Sequence, residues 1–175
     1  MLKMFSTQVF GLFKRLNENK EEAIEDIARI LAQASVGDGK IYIFGTEEMM
    51  AVGLEATVGQ EPLPSTEIWH AGTEFNVITD TDRFLIITRE SNHQEALRLA
   101  KYLSDRFIPF ATISAKAVEG EEQLADYSDV HIDLQLKKGL LPDDAGNRFG
   151  YPSSMAALFI YYGIKFTIDE MLDEY

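Results

Sequence analysis

Cysteine is absent from the 175 residues, which removes disulfides, thiolate nucleophiles and cysteine-ligated metals and agrees with a reducing compartment. No uninterrupted apolar run approaches the roughly eighteen residues of a membrane-spanning helix, so neither a membrane span nor a secretory hydrophobic region is expected. The opening MLKMFSTQVFGLF is broken by Lys3, Ser6, Thr7 and Gln8 and reads as an amphipathic helix; a cytoplasmic protein is the expectation. Positive charge is scarce, with 16 Lys plus Arg against 29 Asp plus Glu and a formal net charge of −13. Such a field repels polyphosphate backbones, which argues against nucleic acid as a partner. The three histidines, His70, His93 and His131, show no His-x-x-x-His spacing, so no metal centre is expected, and nothing in the chain asks for a cofactor. A Gly-x-Ser-x-Gly elbow is missing too, which excludes the usual serine hydrolase.

What is present is a chain with 46% apolar residues and 11% aromatics, long enough for one well-filled core; a single domain over residues 1–175 is expected. Ala23, Ile24, Ile27, Ala28, Leu31 and Ala34 recur at helical spacing over 22–35, and Gly37-Asp38-Gly39 ends that helix. Residues 41–44 form a short continuous apolar run, typical of a strand buried on both faces. A helix over about 47–56 and a second strand over 67–71 follow. Residues 84–87 read as a third strand, Ala96, Leu99, Ala100, Leu103 and Phe107 as a helical stripe, and 109–113 as a fourth strand. About two dozen residues between those strand starts suit a parallel βαβ crossover. Ser91 or Asn92, with Gln94 or Glu95 three residues on, gives that helix a capping box. A short helix is expected over 121–127. Val130, Ile132, Leu134 and Leu136 alternate with polar residues, as in a half-buried strand at a sheet edge. A polar loop over 137–152 precedes a helix over about 153–162, and Thr167 with Glu170 suggests a separate acidic terminal helix.

Five strands alternating with helices predict an α/β, three-layer αβα sandwich with a five-stranded parallel sheet. Ligands in such folds bind beyond the carboxyl ends of the strands, which here means Gly45 to Glu48, Thr88 to His93 and Ser114 to Ala117. An opening helix, then IYIFG turning into a helix, then FLIITRESNHQEA, resembles the sugar isomerase (SIS) domain, and within it the phosphoheptose isomerase-like branch. The resemblance implies phosphosugar binding, aldose–ketose isomerase chemistry where activity is kept, and a homodimer. The aromatics Phe5, Phe10 and Phe13 and the YYGIKF run at 161–166 supply either a dimer interface or core.

The motif match is partial. The family's first loop reads roughly Gly-x-Gly-x-Ser; here Gly45 is kept and Thr46, Glu47 and Glu48 replace the rest. Its phosphate loop, Ser-x-Ser-Gly-x-Thr/Ser, becomes Thr88-Arg89-Glu90-Ser91-Asn92-His93. The substrate-binding candidates are therefore Gly45, Thr46, Glu47, Thr88, Arg89, Ser91 and Asn92. A carboxylate at Glu90 opposes a phosphate unless it points away or Arg89 compensates, since a guanidinium can grip phosphate through two parallel bonds. The bland role for Arg89 is an ion pair with Glu90 or a nearby helix, and that for Glu47 and Glu48 is to complement a helix dipole behind a Thr46 N-cap. In the family a glutamate on the helix after the first strand and a histidine on the C-terminal helix share the acid–base work. Glu55 lies on the corresponding helix, no histidine follows His131, and His93 is left as the catalytic partner if its loop approaches Glu55. The alternative is a non-catalytic metabolite sensor or assembly module on the same scaffold.

Overall fold

The structure, a computed structural model, describes residues 1–173. A single helix, α1 (Leu2–Val36), absorbs both the amphipathic opening and the 22–35 periodicity, because no proline interrupts them and the buried positions continue through Val9, Leu12, Leu16, Ile27 and Leu31. Strand β1 (Ile41–Gly45) follows, then a 3-10 turn (Glu47–Met49), α2 (Met50–Val58) and β2 (Thr66–Ile68). Next come β3 (Arg83–Glu90), α3 (Gln94–Asp105), β4 (Phe110–Lys116) and β5 (Val130–Asp133). The polar stretch after β5 holds a two-stranded antiparallel ribbon, β6 (Leu141–Pro142) and β7 (Arg148–Phe149), and α4 (Ser153–Asp173) closes the described chain. Among the described residues no helix is long and apolar enough to cross a membrane.

The five long-paired strands form one sheet in the order β2-β1-β3-β4-β5, parallel throughout, as the α/β reading anticipated. The order reverses direction between β1 and β3, so the crossovers leave to opposite sides and a crevice opens above those two strand ends. On one face Ile41, Ile43, Leu85, Ile87, Ile113 and Ile132 pack against α1, α2 and α4. On the other, Tyr42, Phe44, Phe84, Ile86 and Phe110 pack against α3, Trp69 and Leu124. Burial on both faces explains why β1 and β3 appear in the sequence as unbroken apolar runs. Each such side chain contributes about 1.5–3 kcal/mol by burial, an upper figure for a compact unfolded chain. Asp82, itself buried, fixes the strand starts by accepting hydrogen bonds from the amides of Lys40 at 2.9 Å and Thr79 at 2.7 Å.

Several sequence expectations need correction. Residues 153–173 form one helix rather than two, and the Thr167 hydroxyl donates to the Gly163 carbonyl at 2.9 Å instead of starting a new helix. The second strand is shorter than 67–71 and begins at Thr66. The fifth strand stops at Asp133, and Gln135 takes a φ of 58°. Only a 3-10 turn, Leu124–Asp126, forms within 121–127. Phe107 lies beyond the end of α3, exposed and at a φ of 56°, rather than on its buried stripe.

Candidate functional site

The carboxyl ends of β1 and β3 stand side by side, with Gly45 in register with Ile87, and the Thr46 amide donates to the Ile87 carbonyl at 3.0 Å. Gly45 is required there because an added Cβ would lie 2.4 Å from the Met49 carbonyl oxygen. Thr46 is buried, and its hydroxyl makes no cap: it has no hydrogen-bond partner among the described residues. Glu47 adopts a φ of 45°, a left-handed conformation that glycine takes freely and an L side chain does not. This is the position of the second glycine in the resembled loop.

The third-strand turn is already occupied by its own chemistry. The Thr88 hydroxyl, fully buried, donates to the Glu90 carbonyl at 2.7 Å. Ser91, also fully buried, accepts from the Val118 amide at 2.9 Å and donates to Gln123 Oε1 at 3.1 Å. Asn92 Nδ2 donates to Glu121. Neither Ser91 nor Asn92 caps α3; His93 does, its Nδ1 accepting from the Ala96 amide at 3.4 Å. That bond leaves the proton of a neutral ring on Nε2, which lies 3.6 Å from Glu47 Oε1.

Arg89 takes Glu48, not the adjacent Glu90, in a two-bond grip, Nε to Oε1 at 3.0 Å and Nη2 to Oε2 at 2.6 Å. The guanidinium hydrogen bond holds the Glu48 carboxyl below the usual carboxylate range. Glu90 pairs instead with Lys116 at 2.7 Å, and Lys116 likewise lowers its pKa. A cleft of about 400 Å³ opens beside these pairs, lined by Glu48, Arg89, Lys116, Lys137, Tyr151 and Ser153 among others. It sits where β3 and β4 end, against the first turn of α4. A larger cavity of about 680 Å³ lies elsewhere, between the last turns of α1 and α4, with Ala32, Val36, Met171 and Leu172 in its wall. Among the described residues its lining offers one cation, Arg29, and no carboxylate, whereas the smaller cleft gathers three cations, so the smaller cleft is the better candidate on chemistry.

Glu55 lies on α2 and accepts a hydrogen bond from the Tyr162 hydroxyl of α4 at 2.8 Å. His93 caps α3, on the opposite face of the sheet, so the helices carrying the two catalytic candidates are separated by the central layer. The structure thus brings together Gly45, Thr46, Glu47, Thr88, Arg89 and His93, and gives Glu55 a different neighbour. Lys137 and Tyr151 join the site without having been singled out in the sequence. Only the placement of 114–117 at a strand end pointed toward Lys116.

A family model described as "Domain of unknown function (DUF2529)" matches residues 1–172. The chain belongs to the DUF2529 family. A Bacillus subtilis (strain 168) protein, named as the uncharacterized protein YwjG, is 41% identical over 177 residues, covering 100% of this DUF2529 chain and 99% of its own length. Solved structures place the fold among sugar isomerase domains. A proposed sugar-phosphate isomerase from Listeria monocytogenes superposes with a TM-score of 0.73 at 15% identity, over 98% of this chain and 88% of that one. The Vibrio vulnificus NanR protein complexed with ManNAc-6P gives 0.70 at 11% identity; the match covers 99% of this chain and 62% of NanR.

Proposed function

We propose that this chain is a sugar-phosphate-binding domain whose ligand enters the cleft above the ends of β3 and β4. The observation that carries the reading is the convergence of Arg89, Lys116 and Lys137 on one cleft of a chain with a net charge of −13, at the strand ends where parallel sheets hold ligands. The NanR protein supports it, since a protein similar in fold over 62% of its chain is complexed with ManNAc-6P. A thermal-shift panel of pentose, hexose and heptose phosphates, run beside the unphosphorylated sugars, tests it. A ligand at a hundred times its dissociation constant adds about 2.7 kcal/mol of stability. A shift for phosphorylated members only is expected; a silent panel overturns the reading.

The catalytic extension is aldose–ketose isomerisation of the phosphoheptose type, with Glu55 as base and His93 as acid, in a cytoplasmic, cofactor-independent homodimer. Both groups must reach one substrate. Their position on helices from opposite layers, with Glu55 bonded to Tyr162, favours a second reading in which the domain senses a metabolite without converting it. Solvent-proton exchange into heptose and hexose phosphates separates the two: exchange that is lost in Glu55→Gln supports the enzyme, and no exchange supports the sensor.

A further inference from the structure

Proteins that hold phosphate in a strand-end turn do so with free hydroxyls and amides. Here the turn after β3 has spent its hydroxyls. Thr88 is bound to the Glu90 carbonyl, and Ser91 bridges the Val118 amide and Gln123, both side chains being fully buried. An anion arriving at this turn would find neither hydroxyl available.

Cations stand beside it instead. Arg89 comes from the end of β3, Lys116 from the end of β4 and Lys137 from the segment after β5, and all three line the same cleft. Each is more than one-third exposed, so each remains within reach of a solute. Each also carries its own carboxylate: Glu48 on Arg89 at 2.6 Å, Glu90 on Lys116 at 2.7 Å and Glu119 on Lys137 at 3.3 Å. Of these, the two-bond Glu48 pair is the tightest, and Glu119 is the most exposed of the acids. A phosphate dianion offers three oxygens to the same donors and can replace these partners, whose carboxylates then turn to water.

We propose that the anion of the ligand is gripped by Arg89, Lys116 and Lys137 through exchange of their carboxylate partners, with Glu48 as the resident competitor, rather than by the hydroxyls of the Thr88 to His93 turn. The inference rests on the reading of this cleft as a sugar-phosphate site and names the groups that do the holding. It has a signature that a conventional turn site lacks. Removing a carboxylate strengthens binding, because the anion no longer has to displace it.

Inorganic phosphate, titrated at constant ionic strength and followed by ³¹P line broadening and thermal shift, is the probe. Glu48→Gln, close in shape to the original, is expected to bind phosphate about tenfold more tightly than the unchanged protein. The double variant Lys116→Ala, Lys137→Ala is expected to bind about tenfold more weakly, and higher salt is expected to erase the differences. The unliganded melting temperature of each variant shows that the fold is kept. Equal affinity in Glu48→Gln and the original, undiminished binding in the lysine double variant, or no phosphate binding by any form overturns the proposal. If sugar phosphates from the panel bind and the lysine variant binds them equally, the cation grip alone fails. If phosphate follows the expected order while no phosphorylated sugar exceeds it, the sugar reading alone fails.

Discussion

At the residue scale, two side chains hold positions that cost stability under definable conditions. His131, half-buried on β5, turns toward β4, with Nδ1 2.7 Å from Thr112 Oγ1 and Nε2 3.2 Å from Ser114 Oγ; Ser128 completes the cluster through Thr112. Burial pushes its pKa below the ordinary histidine value, outweighing Asp133, which acts the other way, while Lys20 adds to the depression. The unfolded chain therefore binds a proton that the folded one refuses. Stability is full above the unfolded pKa of about 6.5 and is lost as the pH falls toward the depressed folded value. Urea unfolding at about pH 7.5 and about pH 5.5 should show a loss of stability at the lower pH, bounded at about 1.4 kcal/mol by the one proton involved, that His131→Gln reduces. Glu47, at a φ of 45°, presents the opposite case. Glu47→Gly relieves a left-handed strain of about 1–2 kcal/mol but frees the unfolded chain by about 0.5–1, so calorimetry should find a neutral to stabilising change of up to about 1.5 kcal/mol. Glu47→Val should cost about 1 kcal/mol or more. The sequence showed that a glycine of the resembled loop was missing at Glu47; the φ that makes the loss expensive emerges only from the β1 turn. The same limit applies to Ser91, which looks like a helix cap until the loop after β4 claims its hydroxyl.

At the element scale, legibility follows burial. β1 and β3 are covered on both faces and appear as apolar runs whose centres the sequence locates well. Helix ends depend on hydrogen bonds chosen by the tertiary fold, and there the sequence misleads. Thr167 and Glu170 have the pattern of a capping box, yet Ile160, Ile164 and Ile168 carry one buried stripe through them, and burial of that stripe outweighs a local cap. The cleft cations were hard to foresee for a related reason, since Arg89, Lys116 and Lys137 share no sequence spacing and meet only because β3, β4 and β5 end together. Within α4, Lys165 is buried among those isoleucines and reaches Asp169 at 2.5 Å, one turn on, where the carboxylate meets solvent. Asp169→Ala leaves the ammonium buried without its partner, whereas Lys165→Met replaces it with an apolar chain of similar length. Denaturant melts should find Asp169→Ala less stable than Lys165→Met by about 1–2 kcal/mol, because an abandoned buried charge costs more than a removed pair. Equal stabilities would show that Lys165 finds water instead.

At the scale of the whole molecule, charge decides which surfaces two copies can bring together. Each chain carries a net charge of −13, so most approaches are repulsive. One face carries few charges of its own. Met50, Leu54 and Val58 are exposed at successive turns of α2, and Met155, Tyr162 and Phe166 are exposed along α4. The Tyr162 hydroxyl bond to Glu55 joins the two helices that carry these stripes. Glu55 is the single ionisable residue of α2, and Lys165 the single one in the stretch of α4 from 153 to 167 other than tyrosines; both are engaged within the chain. We expect homodimerisation through this face, with Phe166 and Tyr162 from the aromatic run contributing and Tyr161, fully enclosed, remaining core. Light scattering at tens of micromolar protein should give the dimer mass, and added salt should preserve or tighten the dimer by screening the repulsion between copies. The double variant Leu54→Asp, Phe166→Asp places two new carboxylates on the face and should yield a folded monomer. Phe107→Ser, on the exposed end of the α3 layer across the sheet, should leave the mass unchanged. A monomer in the unchanged protein, or a dimer that survives the double variant, would place the contact elsewhere.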